Sequence, residues 1–271
     1  MPVIPFPRFT KDVFYLLDKL RNLFSKSIVI ITFIALWELF PRLGWVDSFI
    51  LPAFSAVFAS WLGMVLSGDI FAHLAISLQR MGSGFLLAVA VGVPLGILMG
   101  WFSRLEQYLD PLLQVFRNTS VLAMFPVFIL LFGLGETSKV TIIFWGSIWS
   151  TLLSTIGGVK NIDPLLIKAA RSMGISVIGL FRKVILPAAL PAILTGIRLS
   201  AGTATIILVA AEMLGATKGL GFLIFYSEQK YEIPAMYAGI ITISLLGVLI
   251  NALLVFFERR ITGWKEKEAV N

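Results

Sequence analysis

Apolar residues along this chain come in long unbroken runs, not in the short alternating or amphipathic patterns of a soluble fold. Six runs approach the ~20 residues that a helix needs to cross a bilayer. They cover about Ser27–Trp45, Met81–Phe102, Val115–Phe132, Val140–Val159, Ile193–Met213 and Met236–Phe257. None shows the alternation of a lipid-facing barrel strand. The pattern therefore predicts an all-α integral membrane protein with six transmembrane helices. Ala53–Leu66 is apolar but too short to cross comfortably, and predicts a helix packed on the extracytoplasmic membrane face. Arg117, Asn118 and Pro126 interrupt the third run, and Glu38, Pro41 and Arg42 crowd the far end of the first.

Composition removes the competing classes. The 271 residues are 58% hydrophobic and 14% charged, with a mean hydropathy of +0.93. An average soluble domain is ~45–50% apolar and ~25% charged. Disordered chains are poor in apolar residues, so disorder is excluded too. There is no cysteine, hence no disulfide and no thiolate metal site, and the single His73 rules out a multi-histidine site. His73 itself reads as a surface residue.

Charge sets the orientation. With the N-terminus cytoplasmic, sixteen of the 22 basic residues fall inside, five outside, and Arg198 lies within the fifth span. Both termini are expected in the cytoplasm. The net charge of +7 then reads as anchoring to the inner leaflet and as a protein partner. No basic and aromatic residues interleave in the manner of a nucleic-acid surface. Val13, Leu16, Leu17, Leu20 and Phe24 recur at helical spacing among charged neighbours, predicting an amphipathic segment on the membrane surface. Asp12 and Asp18 precede the first apolar run, and no cleavable signal is expected. The organisation is thus a cytoplasmic lead-in at 1–26, a membrane domain at 27–258 and a cytoplasmic tail at 259–271. Trp45, Trp61, Trp101 and Trp264 suit the interfacial belts.

Gly92, Gly96 and Gly100 form a row on the second span that suits close helix packing, extended less regularly by Gly82 and Gly84. Gly133–Lys139 superficially resembles a phosphate loop. It lacks the Gly-Lys-Ser/Thr ending, and reads as a turn between spans.

The longest cytoplasmic loop, 160–191, is not loop-like. Asn161-Ile162-Asp163-Pro164 is a cap-and-proline helix start. Leu165, Leu166, Ala169, Ala170 and Met173 give the helix an apolar face, and Gly174 ends it. Ile175–Val184 predicts a second short helix, with Leu186-Pro187 and Pro191 breaking the chain before the fifth span. Two short helices at the surface, with Lys168, Arg171, Arg182 and Lys183 exposed, need a partner over their apolar side.

On these residues the chain resembles the permease subunits of bacterial ABC importers. That family carries Glu-Ala-Ala, three residues, Gly, nine residues, Ile, one residue, Leu-Pro. Here the spacing is kept by Lys168-Ala169-Ala170, Gly174, Val184 and Leu186-Pro187, with Lys168 in place of Glu. Ser77-Leu78-Gln79-Arg80, Asp110-Pro111-Leu112, Phe132–Glu136, Thr195–Arg198 and Ala211-Glu212-Met213 resemble the nitrate, sulfonate, taurine and bicarbonate branch, and the likeness covers about Pro52–Trp264. The resemblance implies a type I ABC importer permease architecture in the bacterial cytoplasmic membrane, paired with a second permease copy. It also implies two cytoplasmic ATPase subunits that bind ATP and Mg, and an extracytoplasmic binding protein that delivers a small anion. The 163–173 helix would couple to the ATPase, through Asp163, Lys168, Ala169, Ala170, Arg171, Gly174, Leu186 and Pro187. This chain would bind no cofactor and catalyse nothing.

Polar residues within spans are costly and face a cavity or a partner. Arg198 and Glu212 on the fifth span, and Asn118 and Ser120 in the interrupted third, are the candidates for the translocation path. Each also has a structural reading: snorkelling or a brace for Arg198, a structural bond at the outer end for Glu212, and a packed helix break for Asn118 and Ser120. Thr203 and Thr205 are weaker, since threonine often bonds its own helix. A stand-alone secondary transporter or channel is the alternative function. It has no use for the loop pattern and would want more intramembrane acids. A membrane-embedded enzyme is disfavoured by the lack of a nucleophile–base or metal set.

Overall fold

The computed structural model describes residues 28–266. The amphipathic segment expected at 1–26 lies outside the described residues, as do residues 267–271 and the side chain of Trp264. All regular structure among the described residues is helical. Helix α1 covers 28–42, at the place of the first expected span. The others are α2 (Phe54–Ser67), α3 (Asp69–Trp101), α4 (Ser103–Asn118), α5 (Val121–Phe132), α6 (Glu136–Lys160), α7 (Pro164–Ser172), α8 (Val177–Leu180), α9 (Leu186–Met213), α10 (Leu220–Gln229) and α11 (Ile233–Glu266).

Four uninterrupted helical segments are long and apolar enough to cross a membrane: α3, α6, α8 through α9, and α11 up to Thr262. The third expected span is different in kind. It is two helices, α4 and α5, meeting at 96° across Thr119 and Ser120. The 12 residues of α5 reach only ~18 Å at helical rise, less than a hydrocarbon core. The break falls at the polar residues that interrupt the apolar run, while α4 begins well before it, at Ser103.

Two other boundaries differ from the sequence reading. Helix α3 starts twelve residues before Met81, at Asp69, because a polar but helix-compatible stretch precedes the apolar run. The prolines before the fifth span do not break it. Pro187 directly follows a π-helical turn in a helical run already continuous from Val177, and Pro191 is carried inside the helix. A π-helical turn at Phe181–Ile185 joins α8 to α9 without a gap.

Helix α6 is the axis of the bundle, packed between α3 and α9. The glycine row makes that contact. At Gly84, Gly96 and Gly100 a β-carbon would come within 2.6–2.7 Å of side chains of Ile143, Thr155 and Val159, whereas Gly82 faces open space. Helix α2 lies against α11 and α3, and α10 against α11 and α9.

Candidate functional site

One end of the bundle carries α7. Asp163 accepts a 2.8 Å bond from the Leu165 amide and Pro164 follows it, so the cap forms as its sequence implies. Ala170 turns inward onto Val159, Ile162, Leu180, Ile185, Ala189 and Ile193, and fixes α7 to the ends of α6 and α9. Ala169, on the other face, is exposed. Gly174 takes φ +73°, a left-handed turn that lets the chain reverse into α8. Trp101 stacks edge-on against Phe181 at 4.9 Å, and Arg171 lies 6.0 Å over the Trp101 ring.

What remains outside is apolar. Leu165, Met173 and Val177 are 69%, 85% and 70% exposed, and Leu166 and Ile178 are exposed beside them. Lys168, Arg171, Arg182 and Lys183 surround this patch. Leu186 and Pro187 stand apart, at the start of α9, with Leu186 exposed and Pro187 half-buried.

The elbow between α4 and α5 holds Asn118 and Ser120, both exposed. Asn118 bonds back to the Gln114 carbonyl at 2.8 Å, while Ser120 begins α5 without a side-chain cap. Inside the corner, Trp145 and Trp149 of α6 face Phe116 and Phe128. Neither indole N–H has an acceptor among the described residues. An unmade bond of this kind costs about 1–3 kcal/mol.

Arg198 pairs with Glu258 of α11 at 3.2 Å, and Thr195 bonds the same carboxylate at 3.4 Å. Arg198 also borders a groove of about 220 Å³ between α9 and α11, with Thr205, Gly247 and Asn251. Thr203 and Thr205 do bond their own helix, at the Leu199 and Ala201 carbonyls.

Glu212 is at the opposite end and is 0% exposed. It lines no open surface in this structure. Its carboxylate accepts from Arg80 Nη1 at 2.8 Å, Ser77 Oγ at 2.9 Å and the Gly221 amide at 2.8 Å. Arg80, 4% exposed, also holds Glu136 with its Nη2 at 2.7 Å and the Lys218 carbonyl at 2.6 Å. Ser77 Oγ accepts from the Leu220 amide and His73 Nδ1 from the Gly219 amide. Gly219 has φ +125°, and a β-carbon there would strike the Glu212 carboxyl at 2.3 Å. Lys139 donates to the Leu134 and Gly135 carbonyls, tying off the turn that only superficially resembled a phosphate loop.

This network joins α3, α6, α9 and α10. Of it only Glu212 had been singled out for the path. His73, expected at the surface, is half-buried, and Arg80 is buried. The signal that could have found them is spacing: positions 73, 77 and 80 share one helix face once α3 is begun at Asp69.

Continuous spans, a broken span beside a central helix and a capped surface helix beneath them define a transport permease of the type I importer fold. Residues 92–263 match the family of binding-protein-dependent transport system inner membrane components, and the chain belongs to that family. It is the membrane subunit of an ABC importer and not itself an enzyme. It is 39% identical to a Bacillus subtilis protein described as an aliphatic sulfonates transport permease, SsuC, over 86% of this chain and 84% of that one. It is 37% identical to the taurine transport system permease protein TauC of Escherichia coli, over 73% of this chain and 72% of that one. The fold matches an inward-facing methionine ABC transporter, MetNI, with a TM-score of 0.66 at 19% identity, over 73% of this chain and 98% of that chain.

Proposed function

We propose that this chain passes a small organic sulfonate, or a similar oxyanion, across the bacterial cytoplasmic membrane, driven by separate ATPase subunits that grip α7. The observation that carries the coupling is the exposed apolar patch that Leu165, Leu166 and Met173 of α7 and its end form with Val177 and Ile178 of α8, α7 being braced from behind by Ala170. The substrate class is supported by the likeness to sulfonate and taurine permeases.

In this reading the α7 end, with Lys160, Lys168, Arg171, Arg182 and Lys183, is cytoplasmic, and both termini lie on that side. A second copy of the chain completes the pathway, and an extracytoplasmic binding protein loads it. ATP and Mg belong to the ATPase. Asp163 and Pro164 start the coupling helix and Gly174 ends it. Lys168, Ala169 and Arg171 present the contact, and Leu186 and Pro187 carry motion into α9. Asn118 and Ser120 border the path at the elbow, and Arg198 near its inner mouth. Glu212 acts as a fastening of the outer end.

Reconstitution of the chain with its ATPase and binding protein in proteoliposomes tests this. ATP-dependent uptake of taurine is the expected result. Uptake driven by an ion gradient without ATP would instead support a stand-alone carrier. Leu166→Glu puts a charge into the apolar patch without touching the core. It is expected to weaken co-purification of the ATPase at least ~10-fold while the Tm of the membrane subunit stays put. Full co-purification with Leu166→Glu would remove the patch as the docking face.

A further inference from the structure

The inner corner of the α4–α5 elbow is filled by two indoles one turn apart on α6. The Trp145 and Trp149 rings lie 5.2 Å apart. Phe116 of α4 packs against both, and Phe128 of α5 packs on Trp145. Both Nε1 atoms are sealed from solvent and unbonded among the described residues. An indole N–H can only donate. Two phenylalanines would fill an aromatic corner without leaving two orphaned donors, so the donors call for a use. They are covered by two helices with few buried residues. Helix α4 buries none of its residues and α5 only Phe125 and Phe128, and the two helices meet at a 96° bend. At the apex of that bend Arg117 is exposed beside Asn118 and Ser120.

We propose that Trp145 and Trp149 are the donors that hold the transported oxyanion inside the membrane, uncovered when the α4–α5 elbow swings away from α6. This rests on the anion-import reading above and deepens it by naming the site. A sulfonate presents three acceptor oxygens, and two indoles one helical turn apart, with ring centres 5.2 Å from each other, offer a donor each to two of them. Neutral donors recognise the oxyanion without adding a fixed charge, so the ligand is held and still able to leave. Arg117 at the apex supplies the long-range attraction. Closure of the elbow seals the donors again and leaves no vacant site open to water.

The test uses taurine as the probe and the permease–ATPase complex free of binding protein, at rest and trapped with ADP and vanadate. Saturation-transfer NMR reads taurine binding. Each tryptophan is replaced in turn by β-(3-benzothienyl)alanine, which keeps the bicyclic shape and exchanges the N–H for sulfur, and separately by phenylalanine. The trapped wild-type complex is expected to bind taurine and the resting complex not. Each replacement is expected to weaken binding about 10-fold, while the isostere, which removes an orphaned donor and keeps the ring shape, leaves the Tm at or above that of the wild type. Unchanged taurine binding with the isostere at both positions overturns the proposal while leaving anion import intact. So does an absence of binding in the trapped state of a complex that imports taurine. A wild-type complex that imports neither taurine nor any other oxyanion defeats both readings together.

Discussion

Replacing Arg80 with methionine is expected to destabilise the purified protein by about 3–5 kcal/mol, read as thermal unfolding in detergent. Among the described residues the guanidinium is the one cation that touches both Glu212 and Glu136. Without it Glu212 keeps its bonds from Ser77 and the Gly221 amide, but it remains a charge with 0% exposure and no cation in direct contact among the described residues. The Lys218 carbonyl loses its donor as well, and the loop from α9 to α10 loosens. Glu136 behaves differently. Its side chain is 64% exposed, so water replaces much of what Arg80 gives it, and Glu136→Gln is expected to cost no more than about 1 kcal/mol. The double change Arg80→Met with Glu212→Leu removes the buried pair entirely. It is expected to be more stable than Arg80→Met alone, because no charge is stranded. A double variant that loses the full sum of the two single losses would show that the pair is not coupled.

The same network shows what the sequence could and could not reveal. Hydropathy found the bundle because each long run must meet the bilayer, whatever it packs against. It missed the first three turns of α3, since Asp69, His73, Ser77 and Arg80 do not look like membrane residues until the carboxylates that meet Arg80 are known. Those partners lie 56 and 132 positions away along the chain, and no local period encodes such a pairing. Glu258 as the partner of Arg198 is hidden for the same reason. Local signals fared better. The Asp163-Pro164 cap, the Gly174 turn and the polar break before α5 each depend on a few neighbouring residues, and each appears where the sequence puts it. Prolines misled at 187 and 191 because a packed membrane helix can carry a proline through a local π adjustment and its neighbours' contacts.

The α3–α6 contact is the most extensive between helices of the bundle, and Gly96 is its narrowest point. A β-carbon there would lie 2.6 Å from Thr155 Cβ and 2.9 Å from the Leu152 carbonyl oxygen. The second of these is backbone, so no rotamer change relieves it and the helices must part. Gly96→Leu is expected to cost more than about 3 kcal/mol, above the usual ~1–3 kcal/mol of an overpacked core site. Most of the variant should fail to elute as folded protein in size-exclusion chromatography. Gly92→Ala, whose β-carbon meets its neighbours at an ordinary 3.4 Å, is expected to be tolerated. Gly82→Ala, on the same helix with nothing within 4 Å, is expected to stay within about 1 kcal/mol of wild type. A general intolerance of side chains on α3 would make all three behave alike. A close approach of α3 to α6 at particular glycines makes Gly96 alone of these three fail, because without a hydrophobic drive between helices in lipid it is van der Waals contact at short range that holds them.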